Sequence, residues 1–301
     1  MPMNEQFTDV GPITLCYETF GDPADPAMLL IMGLATQMVG WHEDFCAELV
    51  ERGFYVIRFD NRDAGHSTIV DAPPPSEREI LTRRIKNLPY TLADMADDAA
   101  NLLDHLGIER AHIVGASMGG MIAQHFAMRY PARTLTLTSI MSTVGGRVWG
   151  QPRLSVLPMF LARPQPGKEA YVERIVTTFK VVGSQRYFDE EHLREIGERQ
   201  WERGVDQAAA TRQLGAIIAD GNRAKRLRRI TAPTLVIHGR DDKLVKPSGG
   251  SMTARAIPGA KLLMLDHMGH DLPRPLWPRI IDAIAQHATR ATAKEVVASA
   301  T

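Results

Sequence analysis

Residues 111–120 read Ala111-His112-Ile113-Val114-Gly115-Ala116-Ser117-Met118-Gly119-Gly120. The first half is a short, nearly unbroken apolar run, the signature of a strand buried on both faces. Met118 to Arg129 follows at once with a helical pattern. Ser117 therefore stands on the joint, inside a G-x-S-x-G spacing. A residue held on so tight a strand-to-helix turn takes strained dihedrals, and neighbours larger than glycine would clash there. The turn also presents the Met118 N–H at a helix N-terminus, where it can stabilise an oxyanion. Ser117 is thus a candidate nucleophile. The spacing alone arises by accident in about one chain in ten of this length, so its weight comes from the strand and helix around it.

Working outward, the same alternation continues on both sides. Ile13–Phe20 reads as an early strand, antiparallel to Gln6–Val10 and closed by the turn cluster Gly21-Asp22-Pro23. Ala27–Met32 and Phe54–Asp60 read as buried strands, with a helix over Trp41–Arg52 between them that Gly53 stops. Thr91 starts a helix as its N-cap, with Asp94 three residues on, and Gly107 ends it. Thr134–Met141, Thr234–Gly239 and Lys261–Leu265 supply three more strands, and Leu276–His287 a final helix before a tail expected to fray. Strand and helix in alternation imply right-handed crossovers and a mostly parallel sheet with helices on both faces.

Between Gly145 and Thr234 the strands stop. Arg147–Pro164 is proline-rich, and Lys168–Val182, Asp189–Arg203 and Val205–Asp220 read as amphipathic helices. The expected organisation is a core over residues 1–144 and 231–301, with a helical cap inserted over 145–230. Trp149, Met159, Phe160, Phe179, Trp201 and Leu214 are its candidates for an apolar substrate pocket, and Met118, Met121 and Met141 could add an adaptable wall.

Composition narrows the function. The chain of 301 residues balances 35 Lys and Arg against 35 Asp and Glu. That balance argues against nucleic acid or an anionic membrane as the main partner. Two cysteines, Cys16 and Cys46, make neither a disulfide framework nor a four-cysteine zinc site and fit a reducing, cytoplasmic setting. No secretory segment is visible, and the longest early apolar stretch is far below the ~20 residues of a membrane span. No P-loop, H-E-x-x-H or G-x-G-x-x-G occurs, so no cofactor or metal is expected.

A serine hydroxyl needs a base, and the base an orienting acid. His238-Gly239-Arg240-Asp241-Asp242 and His267-Met268-Gly269-His270-Asp271 follow the last two strands, at the carboxyl ends where open α/β sheets build their sites. Asp241 and Asp242 compete as the acid, and His267 and His270 as the base. Ser139–Thr143, after the strand before the insertion, holds no carboxylate. Asp60-Asn61-Arg62-Asp63-Ala64-Gly65-His66-Ser67 reads as a bracing loop, and His112 and His125 as core or helix-face residues.

These motifs resemble the α/β-hydrolase superfamily along nearly the whole chain. Gly-Asp-Pro-Ala-Asp-Pro at 21–26, Met32-Gly33, Phe59-Asp60-Asn61-Arg62-Asp63 and Gly269-His270-Asp271-Leu272-Pro273 resemble its aclacinomycin methylesterase-like branch. The resemblance implies Asp242 as the acid, His270 as the base and the N–H of Leu34 as the second oxyanion donor beside Met118. Many relatives have His-Gly where this chain has Met32-Gly33, which removes a side-chain role but keeps the backbone donor. The implied activity is cofactor-free hydrolysis of a small to medium apolar carboxylic ester through an acyl-enzyme. Perhydrolysis or C–C bond hydrolysis on the same residues, and a low-turnover small-molecule receptor, are the competing readings; oligomeric state is left open.

Overall fold

The computed structural model describes residues 4–156 and 165–299, with side chains up to residue 291. Among these, eight strands form one sheet in the order β1-β2-β4-β3-β5-β6-β7-β8. They are β1 (Gln6–Asp9), β2 (Thr14–Phe20), β3 (Ala27–Ile31), β4 (Tyr55–Phe59), β5 (Ala111–Ala116), β6 (Thr134–Ile140), β7 (Thr234–Gly239) and β8 (Lys261–Leu265). β1, β2 and β4 pair antiparallel, and every pairing from β4 across to β8 is parallel.

The helices are α1 (Glu43–Val50), α2 (Glu77–Thr82), α3 (Leu92–His105), α4 (Met118–Arg129), α5 (Lys168–Val182), α6 (Glu190–Glu202), α7 (Gln207–Asp220), α8 (Pro247–Ala256) and α9 (Trp277–Ser299). Alternate residues of the inner strands feed two cores. Leu29, Ile31 and Ile113 meet the apolar faces of α3 and α4. Met28, Leu30 and Val114 meet Trp41, Phe45 and Leu49 on one side and Trp277, Ile280 and Ile284 of α9 on the other. Two-sided burial explains why these strands read as continuous apolar runs.

Most expected elements stand within a few residues. The Thr91–Asp94 capping box forms, and Gly53 and Gly107 close their helices at φ of 83° and 68°. Three differences stand out. α2 and α8 were not anticipated, and α9 runs on to Ser299 instead of ending at His287. Its alanine-rich last turns favour the helix despite their small side chains.

Topology locates the site. From β3 the chain steps to β4 on one side and later to β5 on the other. The crevice at the carboxyl ends of β3 and β5 is therefore the switch point where such sheets take ligands.

Candidate active site

Ser117 joins β5 to α4 with φ 55° and ψ −119°, a conformation side chains rarely tolerate. It persists because its surroundings over-determine it. Its N–H donates to the Ile140 carbonyl at 2.9 Å, and the Gly120 N–H donates back to its own carbonyl at 3.0 Å. The flanking glycines are dictated by close approach. A Cβ on Gly115 would lie 2.1 Å from the Gly119 carbonyl oxygen, and one on Gly119 would lie 2.0 Å from that of Ile31.

His270 follows β8 and is buried to 8% exposure. Its Nε2 lies 3.0 Å from Ser117 Oγ, and its Nδ1 lies 2.8 Å from Asp242 Oδ2. Asp242 sits in the loop after β7, fully buried. Its other oxygen, Oδ1, accepts the N–H groups of Leu244 at 2.9 Å and Val245 at 2.8 Å. Burial pushes its carboxyl up, but the neighbouring His270 and His238 outweigh that and hold it down to about 2. The carboxylate is thus ionised and aimed at the imidazole, as an orienting acid must be.

The rival residues fall away from this line. Asp241 side chain is 55% exposed and lies 3.9 Å from His267 Nδ1. His267, the rival base, is half exposed at φ 63° on the turn after β8.

The Met32–Ala35 turn passes beside Ser117, where a Cβ on Gly33 would sit 3.1 Å from the serine Cβ. Asn61 Nδ2 donates to the Met32 carbonyl at 3.0 Å, and the Ala35 N–H donates to Gln213 Oε1 at 2.8 Å. Leu34 thus lies on a turn held from both ends, facing the same cavity as Ser117 and Met118.

That cavity has a volume of about 2050 Å³, larger than the common ~300–1,000 Å³ of ligand pockets. Phe179, Trp201 and Leu214 line it, together with Met118, Met121 and Met141. Trp149 does not: it is 40% exposed and outside the lining, on the loop that follows the left-handed residues Gly145 and Gly146. Met159 and Phe160 lie outside the described residues.

The helical segment between β6 and β7 is bolted over this cavity by buried ion pairs. Arg203 donates to Asp60 Oδ2 at 2.7 Å, to Glu5 Oε1 at 2.9 Å and to Gln37 Oε1 at 2.7 Å. Arg212 grips both oxygens of Asp63 at 2.8 Å each, and the Tyr90 hydroxyl donates to the same carboxylate at 2.5 Å. Asp220 lies 3.0 Å from His125 Nε2 and also pairs with Arg223 and Arg226. The 60–67 loop therefore braces the site, as its sequence suggests.

Contacts of three residues escape sequence reasoning. The His270 N–H donates to the Val182 carbonyl at 2.8 Å, at the end of α5. Ser184 Oγ accepts the Gly269 N–H at 2.8 Å and donates to Asp271 Oδ1 at 2.5 Å. His238 is the third: its Nε2 lies 2.8 Å from the Val245 carbonyl and 3.4 Å from Asp242 Oδ2. The His-Gly pair ahead of the acid loop was the available signal for His238; nothing local marks Ser184.

Among the described residues one trio, Glu5, Cys16 and His66, brings metal-type donors within 4.8 Å of one another. Arg203 already supplies the cation there, paired with Glu5 and 3.7 Å from Cys16 Sγ.

A mostly parallel sheet carrying Ser117, His270 and Asp242 at its carboxyl edge defines the class. The chain belongs to the alpha/beta hydrolase fold family, which matches residues 26–273. It is 29% identical to the rhodomycin D methylesterase of Streptomyces peucetius, over 93% of this chain and 96% of the relative. It is 30% identical to the rhodomycin D methylesterase of Streptomyces sp. (strain C5), with the same coverage. The resemblance to the methylesterase branch is thereby borne out. In fold it is similar to the 2-hydroxy-6-oxo-6-phenylhexa-2,4-dienoate hydrolase from Rhodococcus sp. strain RHA1, at a TM-score of 0.73 and 23% identity, covering 94% of this chain and 97% of that one.

Proposed function

We propose that this chain is a serine carboxylic-ester hydrolase that acts through an acyl-enzyme on an ester with a larger acyl part than the small to medium ester expected from the sequence, in keeping with a cavity of about 2050 Å³. The observation that carries the reading is the continuous line from Ser117 Oγ through the His270 ring to Asp242, at 3.0 and 2.8 Å. Ser117 attacks the ester carbonyl while His270 Nε2 takes its proton. Asp242 holds the Nδ1–H tautomer and offsets the imidazolium charge. The N–H groups of Leu34 and Met118 receive the oxyanion. The alcohol leaves with the proton from His270. Water, deprotonated by the same ring, then releases the acid. The segment over residues 145–230 acts as a cap, with Phe179 and Trp201 offering apolar contact to the substrate. Similarity to two methylesterases favours a methyl ester of a large acid, and the cavity volume suits a large acyl group. Two buried free thiols, Cys16 and Cys46, accord with a cytoplasmic setting.

Ser117→Ala is expected to lower turnover of a methyl or short-chain p-nitrophenyl ester by about four orders of magnitude or more. An organophosphonate should label Ser117 and no other residue in peptide mass spectrometry. Near-wild-type turnover by the folded variant would sink the assignment.

A further inference from the structure

Arg274 lies four residues beyond His270 and shares one cavity wall with His42, His192 and Trp277. The His42 ring is centred 5.5 Å from the rings of both His192 and Trp277. The Arg274 guanidinium lies 5.1 Å over Trp277. Such flat faces suit an aromatic guest.

The hydrogen bonding of His42 sets its ring against the Arg274 guanidinium. Its Nδ1 accepts the Asp44 N–H at 3.0 Å, capping α1. Its Nε2 faces Arg274 Nη2 at 2.8 Å. A neutral imidazole has one lone pair and one N–H. In the tautomer that keeps this cap, Nε2–H and the guanidinium N–H meet donor to donor; the other tautomer gives up the cap and turns Nδ1–H toward Asp44 Oδ2, 3.5 Å away. Protonation does not resolve this. Burial, and then the Arg274 charge, push the pKa of both His42 and His192 down. The carboxylate paired with Arg274 is Asp44, 3.4 Å from Nη1, and with the two side chains 46% and 61% exposed the pair is a weak one that leaves the guanidinium open to a further anion. Asp189, beside His192, is engaged in capping α6 at 3.0 Å. An anionic oxygen lodged between His42 and Arg274 would satisfy both donors at once.

We propose that His42 and Arg274, flanked by His192 and Trp277, form a carboxylate-binding subsite that selects esters of aromatic acids bearing a second, ionised acid group. This rests on the ester-hydrolase reading, whose Ser117 opens into the same cavity.

Matched esters of two lengths test it. One pair is monomethyl terephthalate and methyl 4-acetylbenzoate. The other is the monomethyl ester of biphenyl-4,4′-dicarboxylic acid and methyl 4′-acetylbiphenyl-4-carboxylate. Wild type should favour the acid member of at least one pair by about tenfold in kcat/KM. In Arg274→Gln that ratio should fall to about one, and Arg274→Lys should keep part of it. A ratio near one in wild type at both lengths, or one that survives Arg274→Gln, overturns the subsite. Titration calorimetry with biphenyl-4,4′-dicarboxylate needs no turnover and separates the two readings. Binding about tenfold weaker in Arg274→Gln than in wild type supports the subsite even if no ester is cleaved, whereas equal or undetectable binding in both rejects it.

Discussion

The floor of the cavity and the helices above it are held by different forces. On the floor, Ser117, Asp242 and His270 sit on short turns at the ends of β5, β7 and β8, and backbone groups position them. Examples are the Ile140 carbonyl under Ser117 and the Leu244 and Val245 N–H groups on Asp242. Above, long side chains reach down. Arg203 and Arg212 bury their guanidinium groups on Asp60 and Asp63, with side chains at most 5% exposed. Backbone-held parts form once the sheet forms. The upper helices depend on ion pairs whose charges have left water, and these are costly to break one partner at a time. Floor substitutions should thus cost chemistry, and roof substitutions should cost stability.

The sharpest test of that division is Asp242→Asn beside Asp241→Asn. An amide cannot hold the imidazole tautomer or offset its charge, so Asp242→Asn should lower turnover by about 10⁴-fold. Because the carboxyl is held down to about 2, wild-type Asp242 stays ionised well below neutral pH. Asp241, exposed and off the line, should change turnover by less than about twofold when replaced. A reversal of the two effects would move the acid by one residue.

Arg212→Leu probes the roof. It leaves Asp63 buried with only Tyr90 and the Val70 N–H as partners. Losing one side of a buried pair costs about 3–5 kcal/mol, which urea unfolding would measure. The double variant Arg212→Leu/Asp63→Asn should recover a good part of that loss. If Arg212→Leu cost under about 1 kcal/mol, the bolt would be ornamental and the contrast between floor and roof would fail.

The same contrast decides what the sequence made legible. Two-sided burial writes β3, β5 and β7 as apolar runs, and the steric demands of the Ser117 turn write Gly115 and Gly119 beside it. The bare residues left Asp241 against Asp242 open, because the choice depends on which carboxylate caps Leu244 and Val245. α8 is not marked by its sequence, because it carries Gly249 and Gly250, both poor helix formers. Gly250 is there because a Cβ would lie 2.5 Å from His238 Nδ1. Arg203 and Arg212 look like solvated positions of amphipathic helices, since their carboxylate partners lie 143 and 149 residues away. Trp149 looked like pocket and is surface, because hydrophobicity alone does not say where a glycine-rich turn will point.

Where roof meets floor, one hydroxyl gives the smallest expected effect. Ser184, just past α5, links the Gly269 N–H to Asp271 and so ties the roof to the loop that carries His270. Ser184→Ala leaves the Gly269 N–H without that acceptor, a loss on the order of 1–3 kcal/mol that local relaxation will partly offset. The bond from the His270 N–H to the Val182 carbonyl remains, so the imidazole should lose precision and not its place. The expected outcome is a kcat lower by about three- to tenfold with KM within about twofold, since a loosened base slows the chemical step more than binding. Ser184→Thr retains the hydroxyl and should restore most of the rate. A purely structural Ser184 would instead lower the melting temperature and leave the kcat of the folded enzyme unchanged. Measuring both quantities on both variants tells whether the roof positions the base or only covers it.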